Sequence, residues 1–574
     1  MNRCISNCSF FRVRHTAIAL TLGLLGIAAA QNFVFTSGNP KYDKPFADAK
    51  ANIAFNTKGT APNTVFHAGA FWDQVWTRDG SYSIEMACGH IDPATSGNTF
   101  TYTTTTINPY GKVQLQDVCG HFGGWPALTD GIVWATGAWA YYRQTGSSAF
   151  LSTAYPVIRA SLVMAETEVQ DKADGLFRGC ASFMESNSGY PVAFANNGTM
   201  VGSTKAGSTN MLHYNAYVVA DSMARLLGKP QPTLDTLRQK EAALKTAINT
   251  NLWNASKGYY YYFKYANGAK LDRNEGLADA FAILYDIADS AKKASILANT
   301  IPSPWGYVCQ YPQDSSWMDY TRGTPDYYHT NKVWPFVSGY IAWAASRMKN
   351  QNAFMINMDK CAQLWAKSNP GEWREFYRTE QGTPDGGGQQ LWSASGYISM
   401  VFHGLFGMDC RVNGIKFDPM VPDTFKNALT LNNFLYRNMT LNMSVQGPGK
   451  YLSDFKLDGV SKPDAFVPAT LTGTHTIAMT LTNSPLAELP GSRGPAQQPV
   501  RIRSCASTPS GAVLWFETSR PVHVSMYSPS GRFIGGFTGG NGIVTIDNSK
   551  VKAGTYLVKW KSGTAGGMEK VLLK

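Results

Sequence analysis

Charge is scarce in this sequence, and so is cysteine. Only 16% of the 574 residues are charged, while 44% are hydrophobic and 13% aromatic. A disordered chain has the opposite balance, so most of this length folds. Nine cysteines over such a length exclude a disulfide-stapled scaffold. There is no Cys-x-x-Cys pair and no Cys/His cluster at zinc spacing. A nucleotide-binding glycine motif, an HExxH helix and a Ser/His/Asp triad motif are also missing, and Asp385-Gly386-Gly387-Gly388 reads as a flexible loop. The sequence therefore asks for no cofactor, although it leaves room for a structural calcium ion. The length accommodates two to four domains of about 150 residues.

Positive charge is what the composition offers instead, and its placement matters. The formal net charge is +12, which raises nucleic acid as a partner. Arg3, Arg12 and Arg14 account for three of these charges, and residues 500–574 carry ten Lys/Arg against three Asp/Glu. Residues 31–499 are left with a net of +2. The charge belongs to the two ends, so no nucleic-acid partner is expected.

The N-terminal arginines precede an apolar stretch, Thr16 to Ala29, and a small-residue run, Ala28-Ala29-Ala30, before Gln31. This is the pattern of a signal peptide over 1–30. The stretch is shorter than the ~20 residues of a membrane span, so no transmembrane segment is expected after cleavage. Seven cysteines then remain (Cys88, Cys119, Cys180, Cys309, Cys361, Cys410 and Cys505). The number is odd, so at least one thiol lacks a partner within the chain, and the pairing of the others stays open.

Hydrophobic periodicity divides the rest. Leu237, Leu244, Ile248 and Leu252 share one helical face, as do Leu277, Phe281, Leu284 and Ala288. Further apolar helical stretches run through 132–142, 158–169, 217–227, 333–346 and 389–404. No strand pattern interleaves them, so residues 31–409 read as an all-α array. From 410 to 484 apolar and polar residues alternate, as in Met439-Leu441-Met443-Val445, which predicts a β-domain packed on the helices. The Pro- and Gly-rich stretch 485–499 reads as a linker. Alternation returns in 500–574, at Ala512-Leu514-Phe516, Val522-Val524, Val544-Ile546 and Tyr556-Val558-Trp560, predicting a small β-sandwich.

Five segments of the helical body concentrate aromatic and polar residues. Phe71–Gly80 sets Trp72 and Trp76 before Arg78-Asp79: rings that stack on sugar C–H faces, then groups that bond hydroxyls. The same pair also suits a helix cap with a structural salt bridge. Gly123-Gly124-Trp125-Pro126, with Asp130 and Trp134, reads equally as a cleft wall or as loop packing. Ser182–Pro191 places Glu185 in a loop beside an apolar wall, where desolvation raises a carboxyl pKa as a general acid requires; a surface Glu is the plain alternative. Tyr328–Phe336 contains His329, Lys332 and Trp334, suited to hydroxyl binding or to core packing. Gly371–Arg378 and Gln389–Ala394 bring Glu372, Glu375 and Trp392 together, either as a second carboxylate across a cleft or as a salt-bridged surface.

In this order, the segments resemble the six-hairpin (α/α)6 glycosidase superfamily of glucoamylases, trehalases, processing α-glucosidases, α-rhamnosidases and glycogen-debranching enzymes. VWTRDGSYS looks like that superfamily's W-x-R-D substrate motif, SFMESNSGYP falls where its general-acid loop lies, and GIKFDPMVP resembles the β-domain that closes many members. The resemblance covers about 60–484. It implies a barrel of six inner and six outer helices with the pocket at one end. Glu185 is then the general acid and Glu375 the base, with Glu372 as rival base. Arg78 and Asp79 hold sugar hydroxyls, and Trp76, Trp125, Tyr190, His329, Trp334 and Trp392 line the pocket. Inverting hydrolysis of a carbohydrate, leaning to an α-linked hexoside, is the expected activity. A polysaccharide lyase using Tyr328-His329 and a non-catalytic carbohydrate-binding protein are the competing readings. Residues 505–574, with SPSGRFIGGF, KAGTYLVKW and the final KVLLK, resemble the C-terminal sorting domains of the type IX secretion system. That resemblance implies the secretion machinery as a partner and delivery outside a Gram-negative-type bacterium or to its surface.

Overall fold

A computed structural model describes residues 32–105, 113, 129–184, 187–319, 324–325 and 328–484, and the stretches 502–508, 511–516, 521–528, 532–540, 543–547, 554–562 and 565–573. The signal peptide and the linker expected from the sequence lie outside the described residues. The chain divides into two compact units, 1–485 and 486–574.

Twelve longer helices frame the first unit. They are α1 (Pro40–Phe55), α2 (Thr77–Ser83), α3 (Pro93–Thr105), α4 (Asp130–Thr145), α5 (Ser148–Glu168), α6 (Gly207–Leu226), α7 (Gln231–Asn251), α8 (Gly276–Leu284), α9 (Ser290–Asn299), α10 (Pro335–Arg347), α11 (Gln351–Trp365) and α12 (Leu391–Ser399). The even-numbered helices are buried on nearly every side: all seven residues of α2 and all nine of α8 and of α12 are buried. Helices α7 and α9, among the odd-numbered ones, bury only one stripe, such as Leu234, Leu237, Leu244 and Ile248 of α7. Each even helix packs on the next, and α12 packs back on α2. Glycine sets two of these approaches. A Cβ on Gly339 of α10 would lie 2.7 Å from the backbone of Gly396 of α12, and one on Gly137 of α4 would lie 2.6 Å from the Ser81 carbonyl oxygen of α2. Helix α5 is long and apolar enough to cross a membrane; here it packs as an outer helix on α4 and α6.

The helix starts differ between the two layers. Asn39, Ser147, Asp289 and Asn350 cap α1, α5, α9 and α11 through their side chains. None of the six even-numbered helices has a side-chain cap. Both α2 and α12 run on into π-helical turns, Ile84–Cys88 and Met400–Leu405.

After α12 the chain turns to strands: β5 (Met408–Arg411), β6 (Gly414–Phe417), β7 (Leu429–Tyr436), β8 (Met439–Gln446), β9 (Tyr451–Leu457), β10 (Val460–Ser461), β11 (Phe466–Pro468) and β12 (Gly473–Thr482). The six-stranded sheet is ordered β1-β7-β8-β12-β9-β10, with β8 and β12 parallel. Its edge strand β1 (Val34–Thr36) comes from the N-terminal side of the helices and pairs with Thr430–Asn432. The alternating stretch 410–484 therefore does not hold the whole sheet. Three residues are too few for an alternation to show. Within the helical body, a small sheet β2-β3-β4 joins Lys332–Val333, Phe376–Arg378 and Pro384–Asp385.

The second unit contains β13 (Ile502–Thr508), β14 (Gly511–Phe516), β15 (Val522–Tyr527), β16 (Phe533–Gly539), β17 (Ile543–Asp547), β18 (Gly554–Ser562) and β19 (Ala565–Leu573). They form two sheets, β13-β14-β17 and β16-β15-β18-β19. Leu514 and Ile546 of one sheet share a core with Val524, Met526 and Val558 of the other. Cys88, Cys309, Cys361 and Cys410 are buried free thiols, and Cys180 is buried as well.

Candidate active site

The starts of the six even-numbered helices meet at one end. Arg78 of α2 reaches Asp130, the first residue of α4, at 3.1 Å, with the two side chains 1% and 0% exposed. Arg78 Nη1 also donates to the Ser182 carbonyl at 2.7 Å. The Ser182 amide donates to Ser208 Oγ in the first turn of α6 at 3.0 Å, and the Ser208 amide donates to Glu275, which precedes α8, at 3.3 Å. Gln390, before α12, donates to Asp79 at 3.4 Å. Trp392 of α12 stacks on Phe336 of α10 at 4.3 Å and lies 5.7 Å from Trp334.

Glu375 opens toward this floor from the loop between α11 and α12, immediately before β3. The residue is 3% exposed. One carboxylate oxygen accepts from the Tyr328 hydroxyl at 2.6 Å. The other accepts from Trp72 Nε1 at 3.3 Å and from the Gly387 amide at 3.1 Å. Three donors around one carboxyl favour its charged form. Gly386 makes the loop fit: its φ is +69°, and a Cβ there would lie 2.8 Å from that of Glu375. Glu372 is placed otherwise. It is half-buried, ion-paired with Arg374 at 3.1 Å and bonded to Asn369 at 3.1 Å.

Glu185 and Trp125 lie outside the described residues, but both flanks of Glu185 are fixed. On one side, the Ala181 amide donates to the Tyr190 hydroxyl at 2.8 Å and Ser182 is held as above. On the other, Ser188 Oγ accepts from the amides of His329 and Thr330 at 2.7 and 2.9 Å, and its carbonyl accepts from Gln310 at 2.6 Å.

The remaining residues singled out from sequence fall into two groups. Trp76, Trp334 and Trp392 have buried indole N–H groups with no hydrogen-bond partner among the described residues. Trp76 packs on Trp72 at 4.9 Å, beside the carboxylate. Arg78, Asp79 and Tyr190 are fully buried and spend hydrogen bonds on protein groups. Arg78 is drawn toward the buried Asp130, and the Tyr190 ring packs against Tyr262 and Phe263. His329 is stacked on Trp334 at 5.4 Å, and burial pushes its imidazole down to about 3. The Tyr328 hydroxyl donates to the Glu375 carboxylate, which disfavours its service as the acid of a Tyr/His lyase pair.

Residues 26–393 match the family described as mannosylglycerate hydrolase MGH1-like glycoside hydrolase domain. The chain belongs to this family. Among solved structures it is similar to a sialidase (14% identity, TM-score 0.55, covering 71% of this chain and 37% of that one). It is also similar to the GH78 family rhamnosidase of Bacillus sp. GL1 (12%, 0.52, 79% and 44%). A third is the GH63 mannosylglycerate hydrolase from Thermus thermophilus in complex with Tris (12%, 0.49, 62% and 99%). The chain spans less than half the length of the first two. At these identities the likeness concerns the fold. No curated protein matches the sequence.

Several residues around the candidate site are visible only in the structure. Trp72 and Tyr328 were present in the aromatic segments, but their role as donors to Glu375 depends on contacts 303 and 47 residues apart. Glu275 carries no local motif. Burial pushes its carboxyl up to about 8, against hydrogen bonds from Ser208. Among the described residues no three His, Cys, Asp or Glu side chains converge to hold a metal ion.

Proposed function

We propose that this protein is an inverting glycosidase built on an (α/α)6 barrel. The cyclic packing of the six even-numbered helices supports the barrel. The observation that carries the activity is the seat of Glu375: a buried carboxylate, cradled by three donors, beside Trp72 and Trp76. Glu375 takes a proton from a water, and that water attacks the anomeric carbon. Glu185 protonates the departing glycosidic oxygen from the opposite face; such an inverting pair requires roughly 6.5–9.5 Å between its carboxyl groups to seat the water. The unpartnered indole N–H groups of Trp76, Trp334 and Trp392 are donors for sugar hydroxyls or ordered water. Arg78 positions the acid loop through the Ser182 carbonyl.

The substrate class is an α-linked hexoside. The family description makes mannosylglycerate the first compound to assay. Delivery follows the ends of the chain: export by the signal peptide, then passage through the type IX machinery by the C-terminal domain, to the outside or the surface of the cell. Glu185→Gln and Glu375→Gln should each lower kcat by about 10²–10⁴-fold with the fold intact. NMR of the first-formed anomer should show inversion. Near-wild-type hydrolysis by both variants would reject the assignment.

A further inference from the structure

A second concavity, of about 370 Å³, lies away from Glu375 and is large enough for a small ligand. One wall is the stretch 301–313. Its backbone is pinned by pairing of Pro302–Ser303 with Gly306–Tyr307 and of Gln310–Tyr311 with Asn274–Glu275. The other wall is formed by Asn331, Thr379 and Glu380 at the ends of β2 and β3.

The lining has two characters. Ile301, Pro302, Pro304 and Val308 present C–H surface, whereas Tyr311, Gln313, Asn331 and Glu380 bring hydroxyl, amide and carboxylate groups. Asn331 organises the polar side from a left-handed backbone, φ +63°. Its oxygen accepts from Thr379 Oγ1, and from Gln313 Nε2 at 3.3 Å; its Nδ2 donates to Glu380 at 3.2 Å. These bonds fix Glu380 by one oxygen. Its second oxygen and the Tyr311 hydroxyl bond to no other described residue. Among the described residues, no Lys, Arg or His lines the cavity.

A pyranose has the complementary surface, with C–H groups on one face and hydroxyls at the rim. Carboxylate and amide oxygens accept from hydroxyls, and the apolar wall takes the ring face. A lining carboxylate with no lining cation disfavours phosphates, sulfates and uronates. We propose that this cavity binds a neutral sugar unit, as a second carbohydrate site beside the catalytic one. The substrate class rests on the glycosidase reading. Glu375 precedes β3 and Thr379 follows it, so the extended strand separates base and cavity by about 13 Å. The pairing of Lys332–Val333 with Tyr377–Arg378 keeps that spacing.

The test uses the full chain with α-linked gluco- and manno-oligosaccharides of two and five units. In a Glu375→Gln background, calorimetric titration with the pentasaccharides should show affinity falling about ten-fold on adding Glu380→Ala. Tyr311→Phe, which leaves the Asn331 bonds untouched, repeats the test if Glu380→Ala does not fold. On the active enzyme, a pentasaccharide bridging both sites would make its kcat/KM advantage over the disaccharide fall by a similar factor. A separate chain in the cavity would leave that ratio alone and lower retention on insoluble α-glucan or α-mannan instead. Unchanged affinity, ratio and retention, or no pentasaccharide binding to any of the proteins, overturn the proposal. Absence of α-glycoside hydrolysis by the wild type overturns the glycosidase reading alone, and the titrations still decide the cavity.

Discussion

Glu375 and Glu372 stand three residues apart and differ in their surroundings. The first is buried among three hydrogen-bond donors. The second is half-buried and tied to Arg374. Glu372→Gln should therefore keep kcat/KM within about two-fold, since exposed ion pairs contribute little, while Glu375→Gln loses the reaction. Gly386→Ala offers a finer probe. Its positive φ and the 2.8 Å approach to Glu375 leave no room for a methyl group, so the loop must shift the base. A displacement near 1 Å lowers kcat on the order of 10²-fold, which steady-state kinetics with a thermal melt alongside would separate from unfolding. At this scale the sequence singles out Glu375 within Gly371–Arg378 but not its surroundings, since nothing in 71–80 or 328 announces that a Trp and a Tyr will close on it from distant parts of the chain. Nor does the Arg78-Asp79 motif announce that Asp130, a lone acid in sequence, will be buried opposite Arg78.

The elements follow burial rather than propensity. Outer helix α7 is legible because one face alone is apolar. The start of α6 is not: the stretch expected at 217–227 begins ten residues earlier, at Gly207, where Ser208 and Asn210 bond the backbone of Ser182 and Phe177. Inner helices meet closely where glycine allows. Gly396→Ala places a methyl group 2.7 Å from Phe336 Cα and should cost about 1–3 kcal/mol as overpacking, measurable by denaturant titration. Asp130→Asn should cost more, about 3–5 kcal/mol, because it removes the charge facing a buried guanidinium; an unaltered unfolding midpoint would mean that Arg78 is satisfied without its partner. The N-terminal strand β1 marks the limit of local reading, since its pairing partner, Thr430–Asn432, lies beyond the whole helical body.

For the whole molecule, buried titratable groups set a stability window. Burial pushes Glu275 from 4.5 up to about 8, Glu85 from 4.5 up to about 7 and Asp279 from 3.8 up to about 7. The folded state holds these protons longer than the unfolded chain. Their contribution is complete below about pH 4 and is lost as pH rises through 7 to 8. Burial pushes His90, His213 and His329 from 6.5 down to about 3, and His403 to about 4. That contribution is complete above pH 6.5 and is lost as pH falls toward 3 to 4. The thermal midpoint should decline on both sides of a mildly acidic optimum, and Glu275→Gln should flatten the alkaline limb. An alkaline limb of the same steepness in that variant would show that Glu275 ionises freely in the folded protein.

The uncapped starts of the six inner helices carry one more consequence, an electrical one. Each helix start bears about half a positive charge from its aligned peptide dipoles. An acidic side-chain cap would oppose it, and none of the six has a side-chain cap at all. Asp79, Asp130 and Asp279 in three of the first turns offset part of that charge, and the remainder leaves a weak positive potential where the six ends meet. That potential steadies the ionised base and welcomes a leaving group that is itself an anion. Between two α-glycosides of equal size, the one whose aglycone bears a carboxylate should be cleaved with the higher kcat/KM, and the advantage should shrink as salt is added.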